Sequence, residues 1–328
     1  MSEDIAMPVA SRTVAVTAQA RVPRPRERAR LAKARLERRG RVVTGVCAAF
    51  VVALVLSLIV LVASHGLATF AVDGVSFASF VTGTVWNPHA SDASGAPYMG
   101  ALPMICGSFV VTVLSCAMVL PIAIGCAIFV VEIAPRFGER VFRPITEMLA
   151  GIPSVVFGLI GLTVLVPVVR GFAGGTGFGI LSGSLVLACM VFPTVVALIN
   201  DAIAAVPRSY REGSYGLGCT RWQTVLHVVL PSAMPGIMTA IVLGMARAFG
   251  EALAVQMVIG NAAQMPASLC TPAATLTSVL TTSMGNEAMG TVYNDALWSL
   301  ALILLVMSLV FILIVRLIGR AGKVRGNA

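Results

Sequence analysis

Six stretches of the chain are apolar almost without interruption: 42–64, 101–131, 148–169, 180–203, 236–259 and 297–318. A helix needs roughly 20 such residues to cross the hydrocarbon core of a bilayer, so each predicts a membrane-spanning helix. The second is long enough to tilt or kink, with Pro121 the place for a kink. Between the spans the polar stretches are uneven. Residues 65–100 and 261–296 are rich in Gly, Ser, Thr, Asn and Pro, which predicts irregular structure or short interfacial helices. Trp86 and Tyr98 suit the membrane–water boundary.

Composition agrees with the pattern. Hydrophobic residues make up 58% of the 328 and charged residues only 11%, with a mean hydropathy of +0.93. A soluble domain is about a quarter charged. The fold class is an all-α polytopic membrane protein with six transmembrane helices.

Charge then orients it. The formal net charge of +9 would suit a nucleic-acid binder, but the basic residues are not spread over one surface. They cluster in 12–41, at Arg136, Arg140 and Arg143, at Arg208, Arg211 and Arg221, and at Arg316, Arg320, Lys323 and Arg325. Segments 64–100 and 260–296 contain neither Lys nor Arg. Positively charged loops stay in the cytoplasm. Both termini and the loops at 132–147 and 208–231 therefore fall inside, and no nucleic-acid partner is implied.

The arm at 21–40 is too long and basic for a signal peptide, and the segment after it reads as an uncleaved first span. A basic helix on anionic lipid and a solvated arm are both open for it. Five of the seven cysteines fall inside spans, and no CxxC pair occurs, so no disulfide framework or metal site is expected. The run GFAGGTGFG at 171–179 lacks the order of a phosphate-binding loop and predicts a tight turn. The only Gly-Lys pair, Gly322-Lys323, is followed by Val324, so a Walker A sequence is absent. Any ATP-driven step belongs to another chain.

Two places carry candidate function. Span five reads GIMTAIVLGMARAFGEALAVQMVIGN and puts Arg247 and Glu251 near the bilayer centre. A charge there costs about 2.5–3.5 kcal/mol on insertion scales, so such residues face a cavity or a partner. Four residues apart on one helix, they are placed to pair. The guanidinium fork suits a tetrahedral oxyanion, and an internal bridge that only fixes helix orientation is compatible with the same spacing. Nearby glycines Gly244 and Gly250 permit close approach. In the third span, Pro153 frees backbone groups and Ser154 supplies a hydroxyl, as in a helix broken to line a pathway.

The second place is EGSYGLGCTRWQTVLHVVLP at 212–231. It resembles the cytoplasmic coupling loop of ATP-binding-cassette (ABC) importer permeases: a Glu-Ala-Ala opening, a Gly six residues after the Glu, and a closing Ile-x-Leu-Pro. Glu212, Gly218, Leu230 and Pro231 stand at matching positions. Gly213 and Ser214 replace the alanines, two weak helix formers that would loosen the first helix, and Val228 replaces the Ile. Together with AGIPSVVFGL at 150–159 and ARAFGEALAVQMVIGN at 246–261, this is similar to the first permease subunit of the phosphate importer of that class.

The resemblance covers roughly residues 100–320 and implies a type I importer fold. It further implies an inner-membrane transport subunit rather than an enzyme. Arg247, Glu251 and Ser154 would line the substrate pathway, and Glu212 to Pro231 would dock on an ATPase. Partners would be a second homologous permease, an ATPase dimer carrying ATP and Mg, and an extracytoplasmic phosphate-binding protein, with no cofactor on this chain. The divisions expected are a basic arm (1–41), a first span (42–64), an outer loop (65–100), a permease core (101–320) and a tail (321–328). An Arg–Glu pair suits any tetrahedral anion, so sulfate, molybdate or phosphonate remains open as the cargo. An ATPase-independent carrier or a membrane enzyme would leave the loop unexplained.

Overall fold

A computed structural model describes residues 25–91 and 97–324. Residues 1–24 of the basic arm, 92–96 of the outer loop and 325–328 of the tail lie outside the described residues. The chain divides into two compact units, Met1–Ile59 and Val60–Ala328.

In the first unit the only described element is the start of a helix that runs Pro25–Gly66. Its side chains from Gly40 to Ile59 are exposed on every face although most are apolar. An all-round apolar helix is stable in lipid and not in water.

Six helices are long and apolar enough to cross a membrane: Gly40–Ala71, Leu102–Ile133, Ser154–Ala173, Ile180–Ala204, Arg221–Phe249 and Val292–Leu317. All six expected spans are found, and the fourth matches nearly to the residue. Span four is also the axis of the larger unit, with 67% of its most apolar stretch buried against 39% for span two. Its residues Leu187, Val191, Val195 and Ile199 meet Val111, Val119 and Ala123 of span two and Ile237 and Ala240 of span five in one core. Gly244 lets spans four and five approach: a Cβ there would lie 2.5 Å from a methyl of Val195. Close backbone packing of this kind replaces the hydrophobic drive that lipid removes.

Four π-helical turns interrupt the helices, at Phe129–Ile133, Gly138–Phe142, Gly161–Leu165 and Val225–Val229. Each ends two residues before a proline: Pro135, Pro144, Pro167 and Pro231. Proline has no N–H to give and its ring crowds the carbonyl one turn back, and a wider turn relieves both faults. The converse does not hold, since Pro121 and Pro193 sit inside α-helices.

Three expectations change. Span five begins at Arg221, earlier than expected, and stops at Phe249, so 250–252 is not helical. A separate helix, Leu253–Ile259, follows and ends at the left-handed Gly260. The third stretch is divided too: Arg143–Ala150 forms its own helix, Gly151–Pro153 breaks the chain, and span three begins at Ser154. Finally, the outer segment holds short helices at Ala68–Ala71 and Phe77–Thr82, as expected, and also an antiparallel strand pair, Trp86–Ser91 with Pro97–Met99. Among the described residues the fold is thus all-α apart from one hairpin. That hairpin and the start of span six share a second core, in which Phe80, Met99, Met104, Leu276, Leu297 and Leu300 are buried. The run at 171–179 is the turn expected of it, with Gly174, Gly175 and Gly177 at positive φ.

Candidate functional site: the 208–231 loop and the break in span five

The loop is a helix-turn-helix. Its first helix, Arg208–Gly216, forms in full despite Gly213 and Ser214, so the loosening expected of those residues does not occur. Ser214 is buried, and its Oγ lies 2.9 Å from Thr224 Oγ1 on the second helix, a bond that alanine could not make. Gly218 carries the turn at φ 83°, a conformation that costs other residues a steric clash. Thr220 then starts the second helix with a capping box: its backbone N–H donates to Gln223 Oε1 at 2.8 Å, and its Oγ1 accepts from the Gln223 N–H. Leu230 and Pro231 lie at the start of the long helix of span five, Leu230 packed against the core and Pro231 exposed.

The tip of this hairpin is apolar and unburied. Leu217 is 87% exposed and Trp222 57%, with Tyr210 and Tyr215 also exposed. Glu212 is exposed among them and has no ion-pair partner among the described residues. Exposed aromatic and aliphatic side chains around a free carboxylate are the features of a protein-docking surface.

The root of the loop is built the opposite way. Arg211 and Glu132, the latter in the π turn that ends span two, form an ion pair at 2.8 Å with side-chain exposures of only 16% and 7%. Nε and Nη2 of Arg211 both donate to Glu132 Oε1. The same guanidinium donates to the carbonyl oxygens of Ile203, in the last turn of span four, and of Val206 just beyond it. Arg221, at the start of the second loop helix, donates to the Glu132 carbonyl. Glu132 was not a sequence candidate. Its signal is a single acid at the end of an apolar run, ahead of a basic loop.

The intramembrane charges depart from the expected pairing. Arg247 lies in the last turn of the span-five helix, which Gly250 ends before Glu251 is reached. Arg247 donates to Thr194 Oγ1 of span four, next to Pro193. Glu251 turns forward: its Oε1 accepts the Ala254 N–H at 3.2 Å and so caps the helix Leu253–Ile259. Among the described residues the two charges form no ion pair. The expectation assumed an unbroken helix, and a glycine followed by a capping acceptor favours ending one.

Glu251 borders a cavity of about 10 Å³, room for a single water, whose other polar walls are Ser108, Thr112, Thr275 and Thr277. Ser154 is not among its lining residues, though its helix is close. Gly158, one turn on, packs against the 253–259 helix, where a Cβ would lie 2.6 Å from Met257 Sδ. The structure does not bring Arg247, Glu251 and Ser154 together: Arg247 bonds Thr194, Glu251 bonds the Ala254 N–H, and Ser154 does not line the cavity beside Glu251. Asn200 and Asp201 line a different cavity of about 410 Å³ with Glu139, Arg143 and Glu147. Arg143 is already taken by Glu147 at 2.9 Å, so that lining favours no anion.

Residues 119–323 match the family described as binding-protein-dependent transport system inner membrane component. The chain belongs to that family. It is a multi-pass transport subunit of the inner membrane, working with a substrate-binding protein and a separate ATPase. A Bacillus subtilis protein named probable ABC transporter permease protein YqgH is 50% identical, over 88% of this chain and 92% of its own. Phosphate transport system permease protein PstC of Mesorhizobium japonicum is 34% identical, over 73% of this chain and 77% of its own. A crystal structure of a bacterial ABC transporter involved in alginate import shares the fold at 15% identity, with a TM-score of 0.60 over 89% of this chain and 99% of its own.

Proposed function

We propose that this chain is the permease subunit through which an ATP-driven importer moves inorganic phosphate into the cell. The observation that carries the importer reading is the helix-turn-helix at 208–231, apolar at its tip and locked at its root. The phosphate assignment rests on relatives named phosphate transport permeases, which match over nearly three-quarters of the chain. In this reading both termini and the 208–231 loop face the cytoplasm. Glu212, Tyr215, Leu217 and Trp222 dock on one copy of an ATPase dimer that binds ATP and Mg, Gly218 shapes the turn they stand on, and Leu230 and Pro231 join it to span five. A second, homologous permease completes the pathway, and an extracytoplasmic phosphate-binding protein delivers the anion.

Arg247, Glu251 and Ser154 contribute to the pathway from separate positions. Arg247 offers the bidentate donor set that oxyanions take, with only a neutral hydroxyl to compete for it. Contacts this few hold an anion weakly, which favours release once the binding protein has selected it.

The deciding experiment is radiolabelled phosphate uptake at low micromolar phosphate, comparing cells without this chain and complemented cells, with excess sulfate or molybdate as competitor. Restored uptake that ignores the competitors supports phosphate. Inhibition by one of them moves the cargo to that oxyanion. The coupling surface is tested by Glu212→Arg, which should abolish uptake with the protein still inserted. Full uptake in that variant sinks the docking role.

A further inference from the structure

The tip of the 208–231 hairpin would meet the ATPase, but a tip alone moves nothing. The second loop helix runs without a gap into span five, so displacement reaches that span along the chain, and spans two and four are reached by whatever else joins them to the hairpin. On the other side, residues 205–207 separate the end of span four from the first loop helix, a short non-helical connection. The non-covalent connection is far denser. Glu132 receives Arg211 through its carboxylate and Arg221 through its carbonyl, one from each loop helix. Arg211 meanwhile holds the carbonyls of Ile203 and Val206, freed where span four ends. The nearly buried ion pair thus fastens the first loop helix to the ends of spans two and four, and Arg221 ties the second loop helix to the same residue of span two.

We infer that the Arg211–Glu132 pair is the joint that converts movement of the 208–231 hairpin into movement of spans two and four. The inference rests on the importer reading above and assigns to that reaction two positioning residues that touch neither ATP nor cargo. The chemistry suits a joint. A guanidinium that grips one carboxylate oxygen through two N–H groups and holds two backbone carbonyls besides is fixed at several points, so it transmits pull without slack. Out of water the pair is weakly screened and does not exchange for solvent. A one-pronged surface bridge such as Arg143 with Glu147, exposed on both sides, has neither property.

The test uses the complete transporter, with its partner permease, ATPase and binding protein, in phosphate-loaded vesicles, and reads phosphate moved per ATP hydrolysed. The variants are Glu132→Gln, Arg211→Gln and the two together. The double variant is the informative one, because it leaves no lone buried charge and so keeps the fold. Expected is an assembled complex that hydrolyses ATP at near the normal rate but moves phosphate at least about tenfold less per ATP, within the range of ordinary coupling between sites. Because the pair acts as one unit, each single variant should lose as much coupling as the double. A double variant whose transport per ATP stays within about twofold of the wild type overturns the joint, and so does parallel loss of hydrolysis and transport, the mark of a merely structural role. The importer reading fails separately, on the unaltered complex, if binding protein and phosphate do not stimulate its hydrolysis.

Discussion

Two of the arginine–glutamate sets in this chain are built on opposite plans. At the root of the 208–231 loop, Arg211 and Glu132 are nearly buried, share two N–H bonds to one oxygen and draw in three further backbone contacts. Within the membrane, Arg247 and Glu251 are closer in sequence and do not pair at all. One arginine holds a hydroxyl and the glutamate caps a helix. A charge whose every bond is made inside the protein is committed to architecture. A charge held by one neutral partner is available. Sequence separation misleads here: 79 residues divide the pair that meets, and four divide the pair that does not.

This contrast is broken first at its strong end. Arg211→Ala leaves Glu132 buried without a partner, which typically costs about 3–5 kcal/mol. The expected result is a marked fall in thermal stability and in the yield of inserted protein, read by fluorescence-detected size exclusion after heating. Arg247→Ala should do the reverse. It removes an exposed side chain whose hydroxyl partner is easily rehydrated, so melting should shift little. Loss of a charged hydrogen bond to the passing anion, about 1.5–3 kcal/mol, should slow uptake roughly ten- to hundredfold. Uptake at the wild-type rate would place Arg247 with the scaffold. Glu251→Gln sharpens the comparison further. The amide oxygen can still accept the Ala254 N–H, so stability should stay within about 0.5 kcal/mol of the wild type. A fall in uptake then reports the charge alone, whereas unchanged uptake reduces Glu251 to a cap.

Much of the fold was legible because lipid imposes one simple requirement. A stretch of some 20 apolar residues has few alternatives to a spanning helix, and all six were found. The motif at 212–231 was legible because Glu212, Gly218, Leu230 and Pro231 stand at the spacing of a known family pattern. Errors came where local and tertiary choices compete. Span five reads as continuous through Gly250 because Ala, Leu and Val surround it. The chain stops there because Glu251 finds a better use capping the next helix. The hairpin at Trp86–Ser91 was hidden by its prolines and alanines, poor strand formers held by the outer core beneath them. Glu132 was missed for a different reason. Its meaning depends on a partner on another helix, and no spacing rule reaches that far.

The π turn at Phe129–Ile133 sets the bearing of Glu132 as well as satisfying Pro135. Each residue of a regular helix advances the facing direction by about 100°, so a count fixes where a side chain points. Removing a single residue between Phe129 and Glu132 would leave every apolar side chain of span two in place upstream. Downstream it would swing the carboxylate away from Arg211, as a key cut one notch short fits the lock and turns nothing.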